Sequence, residues 1–274
     1  MSTTPKSIAI HIFLIVCALY SYDILQFMAI NILFIVFPEN SVFLNSDVFI
    51  DTIACLLQLC FYLGLLYYLH QKHFFEQSPF TPTSIHTPRY SKKWFYLSTP
   101  FIAFGLSGLS SLWLTSAEKY LVHFPFIGDS FSSFENTWQG IENEPYLFTF
   151  CSLVLLGPLV EELLFRGIVY NTLKNLRSGW YPIIFSSVLF GLWHMEFVQS
   201  VYTTLIAIGI GIVYYYTDDL RYPILIHIFN NLYSTLPPFL DNDRTYEIIN
   251  TISFICILPT IFMLYYLVKK RPVK

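Results

Sequence analysis

Long apolar runs broken by short polar stretches dominate the chain. A membrane-spanning helix needs about 20 mainly apolar residues, and that ruler picks out eight segments, at roughly 7–37, 46–70, 94–115, 146–172, 181–197, 199–217, 221–238 and 246–268. The expected fold is all-α, a polytopic membrane bundle with about eight transmembrane helices. The first run follows Lys6 and has the start of a secretory signal peptide. Its apolar character continues well past Ser21 with no A-x-A site, which favours an uncleaved first span.

Composition adds that the chain is no ordinary soluble domain: 55% of its 274 residues are hydrophobic and only 12% charged, with a mean hydropathy of +0.55. Charge is sparse, so the net −3 says little about partners, and nucleic acid is not suggested. The five cysteines lie in apolar runs without a CxxC pair and read as packing residues. Lysine and arginine set the orientation. With the N-terminus in the cytoplasm, that side collects Lys6, Lys72, Arg89, Lys92, Lys93, Lys174, Arg177, Arg221, Lys269, Lys270, Arg271 and Lys274, and the other side keeps Lys119 and Arg244. Twelve against two predicts cytoplasmic termini, a Pro/Ser/Thr-rich inner loop at 71–93 and an acidic, aromatic outer loop at 116–145. There is no internal repeat or low-complexity tract.

Against this background the stretch GPLVEELLFRG, residues 157–167, stands out. A charged side chain at bilayer depth costs about 2.5 kcal/mol or more on insertion scales, so such residues face protein or water. Glu162 and Arg166 stand at i and i+4, glutamate first, the favourable order for an intrahelical ion pair. Glu161 lies about 100° further round the helix and lacks that partner. A structural ion pair with a spare carboxylate is the plainest account. Pro158 removes a backbone donor beside the carboxylates and can kink the span. Two further polar insertions follow: FGLWH puts Phe190 and His194 on one helical face, and HIFNN spaces His227 and Asn231 likewise. Singly, these fit a hydrogen-bonded interior histidine and a polar contact between helices. Together, two carboxylates, two imidazoles and a carboxamide on three spans can converge, and each is otherwise an uncompensated burial. His11, His70, His73, His86 and His123 lack such company.

The ordered set EExxxR (Glu161, Glu162, Arg166), FxxxH (Phe190, His194) and HxxxN (His227, Asn231) resembles the CAAX protease and bacteriocin-processing family of intramembrane endopeptidases, which includes the Ras-converting CAAX prenyl endopeptidase. The resemblance covers roughly 146–238. It divides the chain into an N-terminal scaffold of about three spans (1–145), a CAAX-protease-like catalytic core (146–238), and a last span with a basic cytoplasmic tail (239–274). The scaffold spans carry no matching motif and either support the core or set substrate choice.

Peptide hydrolysis needs an activated water, a stabilised tetrahedral oxyanion and a proton for the leaving amine. A carboxylate in an apolar cavity is a stronger base than one in water, which suits Glu161 to general base and then acid. His194 shares and orients the water, and the Asn231 amide and a His227 ring N–H are donors for the oxyanion. Glu162 and Arg166 brace the site. This division of labour is partly what the resemblance implies, as is a cavity facing the cytoplasm. No cofactor is expected. The alternative is zinc held by Glu161, His194 and His227, the two-histidine, one-carboxylate set of zinc peptidases, although HExxH is absent. The expected partners are a peptide or membrane-anchored protein substrate and the lipid bilayer. Two other classes compete: a non-catalytic peptide-binding or toxin-immunity protein, and a transporter, for which the two halves show no half-helix symmetry. Simple counting puts Glu161 mid-span, His194 near the outer end of its helix and His227 near the inner end of its own. Straight, untilted helices cannot bring these levels together.

Overall fold

The computed structural model of the chain describes residues 5–39, 41–75 and 92–270. Most of the expected inner loop at 71–93 and the tail beyond Lys270, with Arg89, Arg271 and Lys274, lie outside the described residues, as do the side chains of Lys92, Lys93 and Lys270. Among the described residues there is no strand, and every one of the eight apolar segments forms a helix. In chain order these and one further helix are α1 (Pro5–Val36), α2 (Asp47–Gln71), α3 (Lys92–Tyr120), α4 (Pro125–Glu142), α5 (Tyr146–Leu176), α6 (Trp180–Trp193), α7 (Phe197–Thr217), α8 (Arg221–Ser234) and α9 (Asp243–Lys270).

Six of them, α1, α2, α3, α5, α7 and α9, are long and apolar enough to cross a membrane. The other two predicted spans are shorter. α6 and α8 have 14 residues each, about 21 Å at 1.5 Å per residue, against a hydrocarbon core of about 30 Å. The 181–197 segment stops at Trp193 because the chain reverses through Met195, whose φ is 63°. The 221–238 segment stops before the Pro237–Pro238 pair. The outer loop at 116–145 contains a helix the apolar ruler passed over, α4, which is opened by Pro125 at a first-turn position where its missing N–H costs nothing.

α5 runs through the centre, with every residue of Leu163–Tyr170 buried. α1 and α2 pack together and against one side of it; α6, α7 and α8 close the other, and α9 lies along α3. Large apolar side chains such as Ile24, Phe27, Ile35, Tyr67, Phe101, Leu258 and Phe262 point outward, as a bundle facing lipid requires. One end of the bundle is drawn together where Ser46 Oγ and the Asp47 N–H both donate to Glu144 and Tyr146 Oη donates to the Thr235 carbonyl. The opposite end gathers Lys174 on Asp218, Arg221 on Asp219, and Asn175 on the Phe74 carbonyl.

Candidate active site

The turn carrying the two glutamates is set between wide turns. Phe150–Leu156 and Leu163–Tyr170 of α5 are wound as π-helix, and Gly157–Glu162 between them is α-helical. Pro158 accounts for part of this. The Gly157 N–H reaches back five residues to the Ser152 carbonyl, so it is not available to Leu153, four residues back. The next candidate donor is Pro158, which has no N–H. The Leu153 carbonyl is thereby left without a helical partner, and it accepts a hydrogen bond from Asn231 Nδ2 of α8 at 2.8 Å. A proline in one helix thus docks a carboxamide from another. Gly157 is required by the same geometry, since a Cβ there would lie 2.6 Å from the Ser152 oxygen.

Glu162 and Arg166 form the expected pair at 3.1 Å, both side chains fully buried. The guanidinium also donates to the Ala207 carbonyl at 3.0 Å and sits 5.2 Å from the centre of the Phe190 ring. Glu162 Oε1 receives a second contact, His227 Nδ1 at 2.9 Å. Since Glu162 accepts there, Nδ1 carries the hydrogen and the other ring nitrogen, Nε2, is turned toward Glu161 Oε2, 3.6 Å away. Glu161 keeps a side chain 19% exposed. The adjacent glutamates therefore differ in kind, one locked in a buried network and one facing open space.

His194 caps the C-terminus of α6, its ring Nδ1 2.8 Å from the Phe190 carbonyl. Its ring packs 4.8 Å from that of Phe190, which in turn lies 5.9 Å from His227. The structure brings Glu161, Glu162, Arg166 and His227 into direct contact, and links His194 to them through Phe190 rather than through a hydrogen bond to Glu161. The levels that counting held apart are reconciled at the α7–α8 turn. Thr217, Asp218, Asp219 and Leu220 are all buried, and the helix that starts there, α8, has only 14 residues, which places His227 at its middle rather than near a membrane face.

Glu161 and Asn231 line one cavity of about 340 Å³, together with Tyr22 and Gln26 of α1, Asp51 and Cys55 of α2, and Ser152, Leu153 and Gly157 of α5. The residues from α1 and α2 were not singled out from the sequence. The signal was available: Gln26 and Asp51 are polar residues inside apolar runs, as Glu161 is. Asn230 was passed over too; it is buried beside Asn231, with Nδ2 3.4 Å from the Asn231 Oδ1. Among the described residues no three His, Cys, Asp or Glu side chains are grouped so as to hold a metal ion.

Residues 143–233 match the family described as Type II CAAX prenyl endopeptidase Rce1-like. The chain is also similar to the Bacillus subtilis (strain 168) protein named "Putative membrane peptidase YdiL", at 27% identity over 93 residues, 34% of this chain and 37% of that one. The chain thus matches little more than a third of that relative's length. No solved structure matches. Every motif residue falls inside the matched segment, whereas Tyr22, Gln26, Asp51 and Cys55 lie outside it. With its motifs gathered inside a bundle of apolar helices, the chain is an integral membrane protein whose residues 143–233 are similar to the Rce1-like CAAX prenyl endopeptidases.

Proposed function

We propose that the protein is an intramembrane endopeptidase that hydrolyses a peptide bond in a membrane-associated peptide or protein. The observation that carries this reading is that Glu161, partly exposed, shares a cavity with Asn231 while His227 reaches toward it from a buried carboxylate. Glu161 takes a proton from water as the oxygen attacks the substrate carbonyl carbon, and His194 orients that water. The carbonyl oxygen becomes an oxyanion. Asn231 has two amide hydrogens and spends one on Leu153, leaving the other for the oxyanion. His227 Nε2–H is the second donor when both ring nitrogens are protonated. Collapse of the tetrahedral intermediate breaks the C–N bond, and Glu161 returns its proton to the departing amine. Glu162 and Arg166 hold the His227 ring in register.

The deciding experiment compares membrane proteomes, and then purified protein, for wild type and Glu161→Gln. Cleavage products present in wild type and absent from the variant support the reading. A variant that keeps full function supports a peptide-binding or immunity role instead. Asn231→Ala and His227→Ala are each expected to lower kcat by about 100- to 1000-fold, the usual cost of one oxyanion donor, with less effect on KM.

Zinc is the second reading. His194 and His227 both have Nδ1 engaged and Nε2 left over, the way a metal-binding histidine is commonly braced. On the metal-free reading the purified enzyme keeps activity through prolonged chelation. Stoichiometric zinc in active enzyme, lost in His227→Ala and kept in Asn231→Ala, would overturn it.

A further inference from the structure

We infer that Asp51 and Gln26 form a subsite beside Glu161 that takes an organic cation of the substrate, an ammonium or guanidinium close to the bond that is cut. The inference rests on the proteolytic reading of the same cavity and names the substrate class it would accept.

Three helices turn polar or small residues spaced at i, i+4 toward one cavity: Tyr22 and Gln26 from α1, Asp51 and Cys55 from α2, Gly157 and Glu161 from α5. Such spacing puts each pair on a single helical face. The lining holds two carboxylates, Asp51 and Glu161, with the carboxamides of Gln26 and Asn231, and neither lysine nor arginine. The nearby cation, Arg166, is sealed behind Glu162 and spent on Glu162 and the Ala207 carbonyl. Gln26 Nε2 donates to Asp51 Oδ1 at 2.6 Å, which fixes the carboxylate and leaves Oδ2 without a hydrogen bond among the described residues. The Tyr22 hydroxyl, on the same wall, likewise has no hydrogen-bond partner among them. Charge of one sign in a low-dielectric recess attracts a cation and repels an anion strongly. A free C-terminal carboxylate close to the scissile bond is therefore disfavoured, and a lysine or arginine side chain or a free α-amine is favoured. The selecting residues come from α1 and α2, outside the matched segment that supplies the catalytic groups.

The test uses full-length protein in lipid vesicles and a randomised decapeptide pool, read by mass spectrometry. The pool is offered untreated, with acetylated lysines only, and with acetylated N-termini only. Wild type is expected to favour bonds beside a basic group by about 10- to 100-fold in kcat/KM, the range of a charge-assisted hydrogen bond. Loss of that preference on lysine acetylation assigns the subsite to a side chain, and loss on N-terminal acetylation assigns it to the α-amine. Asp51→Asn should bring the ratio close to one, and Asp51→Glu should restore it, which separates charge from folding. A wild-type ratio near one, or a ratio unchanged in Asp51→Asn, overturns the proposal. Peptide capture by Glu161→Gln protein isolates the binding step. If wild type cuts nothing yet this variant enriches basic peptides in an Asp51-dependent way, the endopeptidase reading falls and the subsite stands.

Discussion

Glu161 and Glu162 are neighbours in the chain, and about 100° of helix rotation gives them opposite environments. Glu162 holds Arg166 and His227 with one oxygen, while its other oxygen and Arg166 Nε are buried without a hydrogen-bond partner. Glu162→Ala would strand a fully buried guanidinium at a cost of about 3–5 kcal/mol, so the expected result is little folded protein, read as membrane yield and thermal unfolding. Glu161→Gln is nearly isosteric at a partly exposed position; its yield should match wild type while cleavage is lost. Equal loss of folded protein in both variants would reduce the pair to a structural role. The Glu162–Arg166 contact was legible from spacing alone, because both residues ride on one helix. The Glu162–His227 contact was not. It joins residues 65 positions apart, and nothing in the period of either helix records which nitrogen faces which oxygen.

At the scale of elements, the widened turns of α5 do what the apolar pattern could not announce. Pro158 was visible as a missing donor and a candidate kink; its actual effect is to leave the Leu153 carbonyl for Asn231. Pro158→Ala should restore a helical donor and let the wide turn tighten. The helix is then as stable or more so, since proline inside a helix is costly, but Asn231 loses its anchor. An unchanged or raised unfolding temperature together with a fall in kcat of up to about 100-fold is expected, the scale of a small misplacement at a reacting centre. A second case lies between α6 and α7. A Cβ at Gly191 would overlap Thr204 Oγ1 and come within 2.5 Å of the Ser200 carbonyl. Gly191→Ala should push the helices apart near His194 and lower both stability and activity, measurable in the same assays. For the apolar segments helix existence was readable, because long apolar runs leave little else to form. Helix ends were not: the stop at Trp193 rests on a left-handed residue, Met195, that no pattern marks, and the Pro237–Pro238 pair just beyond the stop at Ser234 was read as part of the apolar run. α4 was missed because a half-polar helix capping the bundle is invisible to a ruler made for spans. It ties down the start of α7 through Ser130 and Ser133, which both donate to Glu196.

For the whole molecule, the position of the cavity along the bundle matters most. Asp51, Ser152 and Asn231 each lie one helical turn inside the end drawn together by Asp47, Phe148 and Thr235. The termini and the basic turns belong to the other end. If the basic end faces the cytoplasm, as the positive-inside rule expects, the cavity is expected toward the non-cytoplasmic face, whereas the family resemblance implies a cytoplasmic opening. Single cysteines in a cysteine-free background settle the matter. Positions 75–90 should label only from the cytoplasm, positions 125–140 only from outside, and Ser152→Cys should react with an impermeant reagent added outside. The reverse pattern overturns the orientation and, with it, the face from which substrate enters. The two origins of the cavity wall carry one more consequence. The groups proposed to react lie within residues 143–233, while Gln26 and Asp51 sit on helices that lie before them. A chimera that exchanges residues 1–75 between two relatives is therefore expected to move the preferred cleavage site without altering sensitivity to loss of Glu161. On the proposed reading, the choice of bond and the cutting of it are then separable properties of one chain, carried by different helices.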